Sequence, residues 1–277
     1  MIPVAFDYQK VTTVDEAIAA LSAIDSKILA GGHSLIPAMK LRLNQPAKLV
    51  DIGKIPALKS IKEENGEIII GAASTHNEIS ANALVKEHLP FFSHGADMIG
   101  DVQVRNYGTI GGSLAHADPS ADWPAMVLAA DATIEIQGSG GKRSVKATDF
   151  FTALFSTQLQ PDELITAIRV PIPAIGTKTI YLKFRQPASR FAVVGCAVMC
   201  LPGGKINIAF TGVSDTAFRD KASEQVVAGK DLDAAIILSA MNAAVEGVDI
   251  NSDLFASAEY RKHLAKVYLK RALEAVA

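Results

Sequence analysis

A chain of 277 residues with 49% hydrophobic content can bury a sizeable core, in one large domain or two to three small ones. Its 27 basic residues balance 29 acidic ones without a basic stripe, which argues against nucleic acid as a partner. The start, from Met1 to Asp7, lacks a basic n-region and a long apolar stretch, and the most apolar run, 191–201, is too short to span a bilayer, so a cytoplasmic protein without signal peptide or membrane span is expected.

Thr13-Val14-Asp15-Glu16 is a capping box, with Ala17, Ile18 and Leu21 on one face of the helix it opens. Residues 27–30 read as a short strand that runs into Ala30-Gly31-Gly32-His33-Ser34-Leu35. A helix over 34–43 follows, with Pro37 tolerated in its first turn, and then a strand over 48–52. Residues 1–55 thus read as a β-α-β-α-β unit. Asn65-Gly66 predicts a hairpin turn before a strand at 67–72, and Thr75-His76-Asn77-Glu78 is a second capping box. A helix is predicted over 91–100. An irregular stretch leads to Thr109-Ile110-Gly111-Gly112-Ser113-Leu114, which continues as Ala115-His116-Ala117-Asp118-Pro119. Beyond it the patterns predict a helix over 122–130, a strand over 132–137, a turn at 138–141 and a strand over 164–170. Residues 56–172 form this second block, and 171–176 read as a linker. In the third block, 177–277, strands at 179–184, 191–201 and 205–210 precede helices at 234–244 and 257–275. Three strands and then helices, without βαβ alternation, make a small α+β domain with a three-stranded antiparallel sheet.

The two glycine pairs are the chemically informative features. Adjacent glycines let successive backbone N–H groups point into one concavity that holds an anion, and each pair is followed by a small hydroxyl donor, Ser34 or Ser113. The first pair lies between a strand and a helix, where a helix N-terminus adds its field. It lacks the spacing of a Rossmann fingerprint and the Gly-Lys-Ser/Thr of a P-loop. Two such segments point to a ligand with a diphosphate. The two cysteines, Cys196 and Cys200, read as core residues of one strand, too few to hold an iron–sulfur cluster, and no metal site is expected in this chain.

The chain resembles the FAD-binding medium subunit of molybdenum hydroxylases, the group that includes aerobic carbon monoxide dehydrogenase and xanthine dehydrogenase. The resemblance rests on Ala-Gly-Gly-His-Ser-Leu at 30–35, Arg-Asn-Tyr-Gly-Thr-Ile-Gly-Gly-Ser-Leu at 105–114, Ala-His-Ala-Asp-Pro at 115–119, Pro-Asp-Glu-Leu-Ile at 161–165, Lys-Phe-Arg at 183–185 and Tyr-Arg at 260–261. It implies an α+β, vanillyl-alcohol-oxidase (PCMH)-type fold, with FAD between two α/β subdomains and a C-terminal α+β domain beside the isoalloxazine. It further implies that Ala30, Gly31, Gly32, His33, Ser34 and Leu35 wrap the diphosphate and that Leu29 also binds the cofactor. Thr109, Gly112 and Ser113 would form the second phosphate segment, with Ser113 where many relatives have Asn, and Gly108 and Ala115 would also bind the cofactor. Asp122 would hold sugar-like hydroxyls, and Ile99, Val104, Leu164 and Ile165 would line the cofactor. Lys183 would stand near the isoalloxazine and stabilise a reduced flavin. Arg190 is a departure, since many relatives carry an acid just before this apolar strand.

The activity so implied is electron transfer. A small partner subunit would carry two [2Fe–2S] clusters and a large one the molybdenum cofactor, in a dimer of heterotrimers. FAD would pass electrons to an external acceptor. A self-contained flavin reductase or oxidase of the same superfold, and an assembly subunit without FAD, are the rival readings. No protein acid or base is needed at the flavin, because the cofactor carries the redox chemistry. His116 and Asp118 are therefore expected to be structural, His76 and Asp101 to be capping or surface groups, and Trp123 to pack in a core or interface. Arg105 and Tyr107 would either touch the flavin or fix the loop.

Overall fold

The first element is one the hydropathy pattern hides: β1 (Asp7–Lys10) is exposed at all four residues and is held by backbone pairing and by the Tyr8 hydroxyl donating to Asp51. A computed structural model describes residues 2–22 and 25–277. After β1 come α1 (Val14–Leu21), β2 (Ser26–Leu29), α2 (Leu35–Lys40) and β3 (Lys48–Asp51). The strands form a parallel sheet in the order β1-β3-β2, which is the predicted β-α-β-α-β unit. Helix α1 opens with the predicted capping box, with Thr13 accepting from the Glu16 N–H. Val50, Ile52, Ala17 and Leu21 close a small core beneath it.

Residues 61–171 build a second sheet. The strands are β4 (Ile61–Glu64) and β5 (Glu67–Gly71), joined at Asn65-Gly66, whose φ angles of 54° and 76° are those of the predicted turn. Six helices follow: α3 (His76–Ala81), α4 (Ala83–His88), α5 (Pro90–Met98), α6 (Val102–Tyr107), α7 (Ile110–His116) and α8 (Asp122–Ala129). The chain then returns through β6 (Thr133–Gly138), β7 (Gly141–Lys146), the short α9 (Ala147–Phe150), a small hairpin of β8 (Phe151–Ala153) and β9 (Ser156–Thr157), and β10 (Leu164–Pro171). The sheet is antiparallel in the order β4-β5-β10-β6-β7.

The C-terminal sheet is an antiparallel meander of β11 (Lys178–Arg185), β12 (Ala192–Cys200), β13 (Ile206–Thr211) and β14 (Phe218–Arg219). It has four strands rather than the predicted three. The fourth is two residues long, too short to leave an alternating pattern, and is fixed by pairing with Ala209 and Phe210. Helices α10 (Lys221–Val227), α11 (Ala234–Ala243) and α12 (Ala258–Val276) cover one face. The other face packs on α5 and α8, so β12 is buried on both sides and reads as one apolar run.

Helix α8 joins these layers. All eight of its residues are buried, with Trp123 and Met126 in one core with Tyr181, Ala197 and Met199. Thr211 Oγ1 lies 2.7 Å from the carbonyls of both Pro119 and Ala121 and donates its one proton to one of them, which ties the start of α8 to β13. Among the described residues no helix is long and apolar enough to cross a membrane.

Candidate functional site

The first glycine segment leaves β2 and enters α2. Among the described residues no acceptor takes the backbone N–H of Gly31, Gly32, His33, Ser34 or Leu35. Gly32 has φ +73°, a conformation glycine adopts without Cβ strain. His33 Nδ1 lies 3.0 Å from the Gly31 carbonyl, which can only accept, so Nδ1 carries the proton. The His33 ring stacks on Tyr107 at 5.6 Å. Ser34 begins α2 without capping it, and among the described residues its hydroxyl has no hydrogen-bond partner.

Gly31 fixes where the second segment lies. A Cβ there would stand 2.1 Å from the Tyr107 carbonyl oxygen and 2.8 Å from Gly108 Cα. Ala30 Cβ is 3.9 Å from the place a Cβ on Gly112 would occupy. The two predicted motifs therefore meet backbone to backbone, which is what a single ligand touching both requires.

The second glycine pair does not form the anion-holding concavity predicted for it. Gly111 and Gly112 lie in the first turn of α7, and their donors already have partners. The Ile110 N–H donates to the Ser74 carbonyl at 3.1 Å, the Gly111 N–H to the Ala72 carbonyl at 2.9 Å and the Gly112 N–H to Thr109 Oγ1 at 3.1 Å. Gly111 is glycine for packing, since a Cβ would lie 2.6 Å from Ala72 Cβ. What this segment presents outward is the hydroxyl of Ser113 and the exposed backs of Gly112 and Ala115, one helical turn apart.

The remaining candidates separate into two groups. Leu164 and Ile165 are only 2% and 4% exposed and point into different cores, as neighbours on a strand must. Ile99 ends α5 with its carbonyl bonded to Arg105 Nη1 at 3.0 Å, so Arg105 fixes this loop. Val104 sits under Gly100, where a Cβ would come within 2.9 Å of it. Asp122 is 5% exposed and forms an ion pair with Lys183 Nζ at 2.8 Å, while the Tyr181 hydroxyl donates to its other oxygen. Burial pushes the Asp122 carboxyl up, and Lys183 and Tyr181 pull against that shift. Burial and the adjacent carboxylate push the Tyr181 phenol well up. Both Asp122 oxygens thus have protein partners, and Tyr181 is a member of the cluster that no sequence pattern marked.

His76 is also not where the sequence placed it. It is 5% exposed rather than a surface group, and its Nδ1 accepts from Trp123 Nε1 at 3.0 Å. Its backbone N–H donates to the Gly108 carbonyl at 3.0 Å, and the predicted capping box of α3 is made by Thr75 and Glu78 beside it. Burial, reinforced by the charges of His33 and Arg105, lowers its pKa to about 3, so it is neutral. The ring edge is why residue 108 is glycine, because a Cβ there would stand 2.7 Å from His76 Nε2. Asp101 caps α6 through the Val104 N–H at 2.9 Å. Asp118 accepts from the Ser120 N–H at 2.8 Å, His116 packs on Phe155, and Trp123 is fully buried, as structural roles require.

A run of unpartnered amides at the end of a parallel strand, roofed by a second glycine segment, defines a binder of an anionic, phosphate-bearing ligand. Residues 4–173 match the family model described as the FAD binding domain in molybdopterin dehydrogenase. Residues 179–276 match the CO dehydrogenase flavoprotein C-terminal domain. The chain belongs to the FAD-binding medium subunits of the molybdenum hydroxylases, and it is an oxidoreductase subunit. It is 39% identical over 281 residues to the carbon monoxide dehydrogenase medium chain of Hydrogenophaga pseudoflava, covering 99% of this chain and 98% of that one. It is 36% identical to the glyceraldehyde dehydrogenase medium chain of Sulfolobus acidocaldarius, covering all of both. A solved structure of the Hydrogenophaga carbon monoxide dehydrogenase lacking the Mo-pyranopterin moiety superposes with a TM-score of 0.96 at 40% identity, covering 100% of this chain and 98% of that one. The free amides of 31–35 and the outward hydroxyls of Ser34 and Ser113 fit the diphosphate of FAD.

Proposed function

We propose that this chain is the electron-delivering flavoprotein of a heteromeric molybdenum hydroxylase. The partners are a small subunit with [2Fe–2S] clusters and a large subunit with the molybdenum cofactor, in a dimer of heterotrimers. The medium-chain names of the relatives support the division of labour. When bound, FAD supplies the redox chemistry, taking electrons from the partner clusters and passing them to an external acceptor.

The residues of this chain do the rest. The amides of Gly31–Leu35 hold the diphosphate, and Ser34, Thr109 and Ser113 add hydroxyl donors. Gly112 and Ala115 keep the facing helix low enough for the ligand to pass. Ile99 and Val104 line the cofactor, together with one of Leu164 and Ile165, whose side chains enter different cores. Lys183 stands at the isoalloxazine, with Asp122 holding its ammonium in place. An ammonium has three donors, and Lys183 uses two on protein, to Asp122 and to the Arg190 carbonyl. Among the described residues the third has no partner, and the Lys183 side chain is 2% exposed, so it would serve a ligand packed directly against it. The single observation that carries the reading is the run of five unpartnered amides at the crossing of the two motifs.

The test uses the assembled complex stripped of flavin. Substrate is expected to bleach the cluster absorbance while acceptor reduction stops, and added FAD is expected to restore it. Acceptor reduction at the full rate without flavin would refute the proposal.

A further inference from the structure

The β11–β12 connection, residues 186–191, is a closed turn. The Gln186 N–H donates to the Phe191 carbonyl and the Arg190 N–H to the Gln186 carbonyl, both at 2.9 Å. Arg190 sits in this turn at φ +61°, a left-handed conformation that glycine takes freely and a residue with a Cβ does not. A side chain at that position works against the local backbone, so its contacts have to outweigh the strain.

Those contacts run in two directions. The Arg190 guanidinium reaches across to the connection between α5 and α6 and donates to the Gly100 carbonyl at 3.1 Å. Arg105 Nη1 lies 3.4 Å from the same oxygen and holds that connection from within. The Arg190 carbonyl accepts from Lys183 Nζ at 2.8 Å. The two acceptors of Lys183 are unequal in rigidity. Asp122 lies on a fully buried helix, while the Arg190 carbonyl lies on an exposed turn. The direction of the third Lys183 N–H therefore depends on whether that turn is held, and the tie that holds it is Arg190 to Gly100.

We propose that Arg190 is a positioning residue for Lys183: its guanidinium latches the β11–β12 turn to Gly100, and its carbonyl then fixes the Lys183 ammonium toward the flavin. This rests on the reading that Lys183 faces the isoalloxazine. Arg190 acts through Lys183, so its effect on the flavin requires Lys183 to be present.

A double-mutant cycle on the FAD-loaded full chain tests this through the flavin midpoint potential. Arg190→Ala and Lys183→Gln are each expected to lower the relative affinity for reduced over oxidised FAD about tenfold, about 30 mV for the two-electron couple. The double variant is expected to shift no further than Lys183→Gln alone. Arg190→Gly removes the guanidinium and relieves the backbone strain, so it serves where Arg190→Ala folds poorly, and it is expected to show the same shift. Arg190→Lys, which keeps a cationic donor, is expected to recover part of it. Additive shifts, or wild-type potentials in Arg190→Gly, would overturn the proposal. A wild-type chain that takes up no FAD would instead sink the flavin reading. Amide exchange of 186–191 in the FAD-free chain then decides the latch alone: faster exchange in Arg190→Gly supports it and unchanged exchange refutes it.

Discussion

Replacing Gly31 with alanine is the sharpest perturbation of the site, because the obstacle is backbone. The new methyl would stand 2.1 Å from the Tyr107 carbonyl oxygen, 2.7 Å from its carbon and 2.8 Å from Gly108 Cα. Carbon contacts settle near about 3.5 Å, so the two glycine segments must part by about 1 Å or more. No side chain can rotate out of the way. Overpacking of this kind costs about 1–3 kcal/mol of stability. The larger effect is on the ligand, since a diphosphate that bridges both segments loses contact with one. Loss of one hydrogen bond to a charged group, about 1.5–3 kcal/mol, raises the FAD dissociation constant about ten- to a hundredfold. Flavin fluorescence titration of the apo chain measures this, with a thermal melt alongside. Gly66→Ala is the control. Nothing lies within 4 Å of a Cβ there, but φ is +76°, so it is expected to cost about 1 kcal/mol of stability and leave FAD affinity unchanged. A Gly31→Ala chain that binds FAD as the wild type does would refute the argument that the two segments meet at this ligand.

Removing the Ser34 hydroxyl is expected to weaken FAD binding by about 1 kcal/mol, read in the same titration, with little change in melting temperature. Lys183→Met strands the buried Asp122 carboxylate and is expected to cost about 3–5 kcal/mol in urea unfolding. Adding Asp122→Asn is expected to recover much of that loss, whereas a double variant as unstable as the sum of the singles would contradict the pairing. His76 has a native pKa of about 3 against an ordinary value of 6.5, so the unfolded chain binds the proton the folded one refuses. Its contribution to stability is intact above about pH 6.5 and falls as pH drops toward about 3, by up to about 1.4 kcal/mol per pH unit. His76→Asn keeps an acceptor for Trp123 without the titration, so its melting temperature is expected to fall less than that of the wild type between pH 6.5 and 4. Parallel curves would show that His76 is not held neutral.

Local chemistry made much of this fold legible. The capping boxes at Thr13 and Thr75 and the turn at Asn65-Gly66 each need only residues adjacent in sequence, and each stands where the sequence predicts it. The first glycine segment was readable because a strand precedes it and a helix follows. Helices α6 and α7 were not. Residues 102–107 carry no apolar stripe, and a glycine pair argues against a helix, yet Gly111 is helical because it packs on Ala72. Strand β1 has no buried face and β14 has two residues, so neither shows a period. The Tyr181–Asp122–Lys183 cluster and the His76–Trp123 pair join residues 47 to 61 positions apart, and no local pattern announces them.

The most direct test of the central claim is amide hydrogen exchange of the full chain with and without FAD. Among the described residues nothing accepts from the amides of 31–35, whereas those of Ile110, Gly111 and Gly112 already have acceptors. FAD is expected to slow exchange strongly in a peptide spanning 30–36 and to change 110–112 little. Exchange at 30–36 as fast with saturating FAD as without it would contradict the assignment of those amides to the diphosphate.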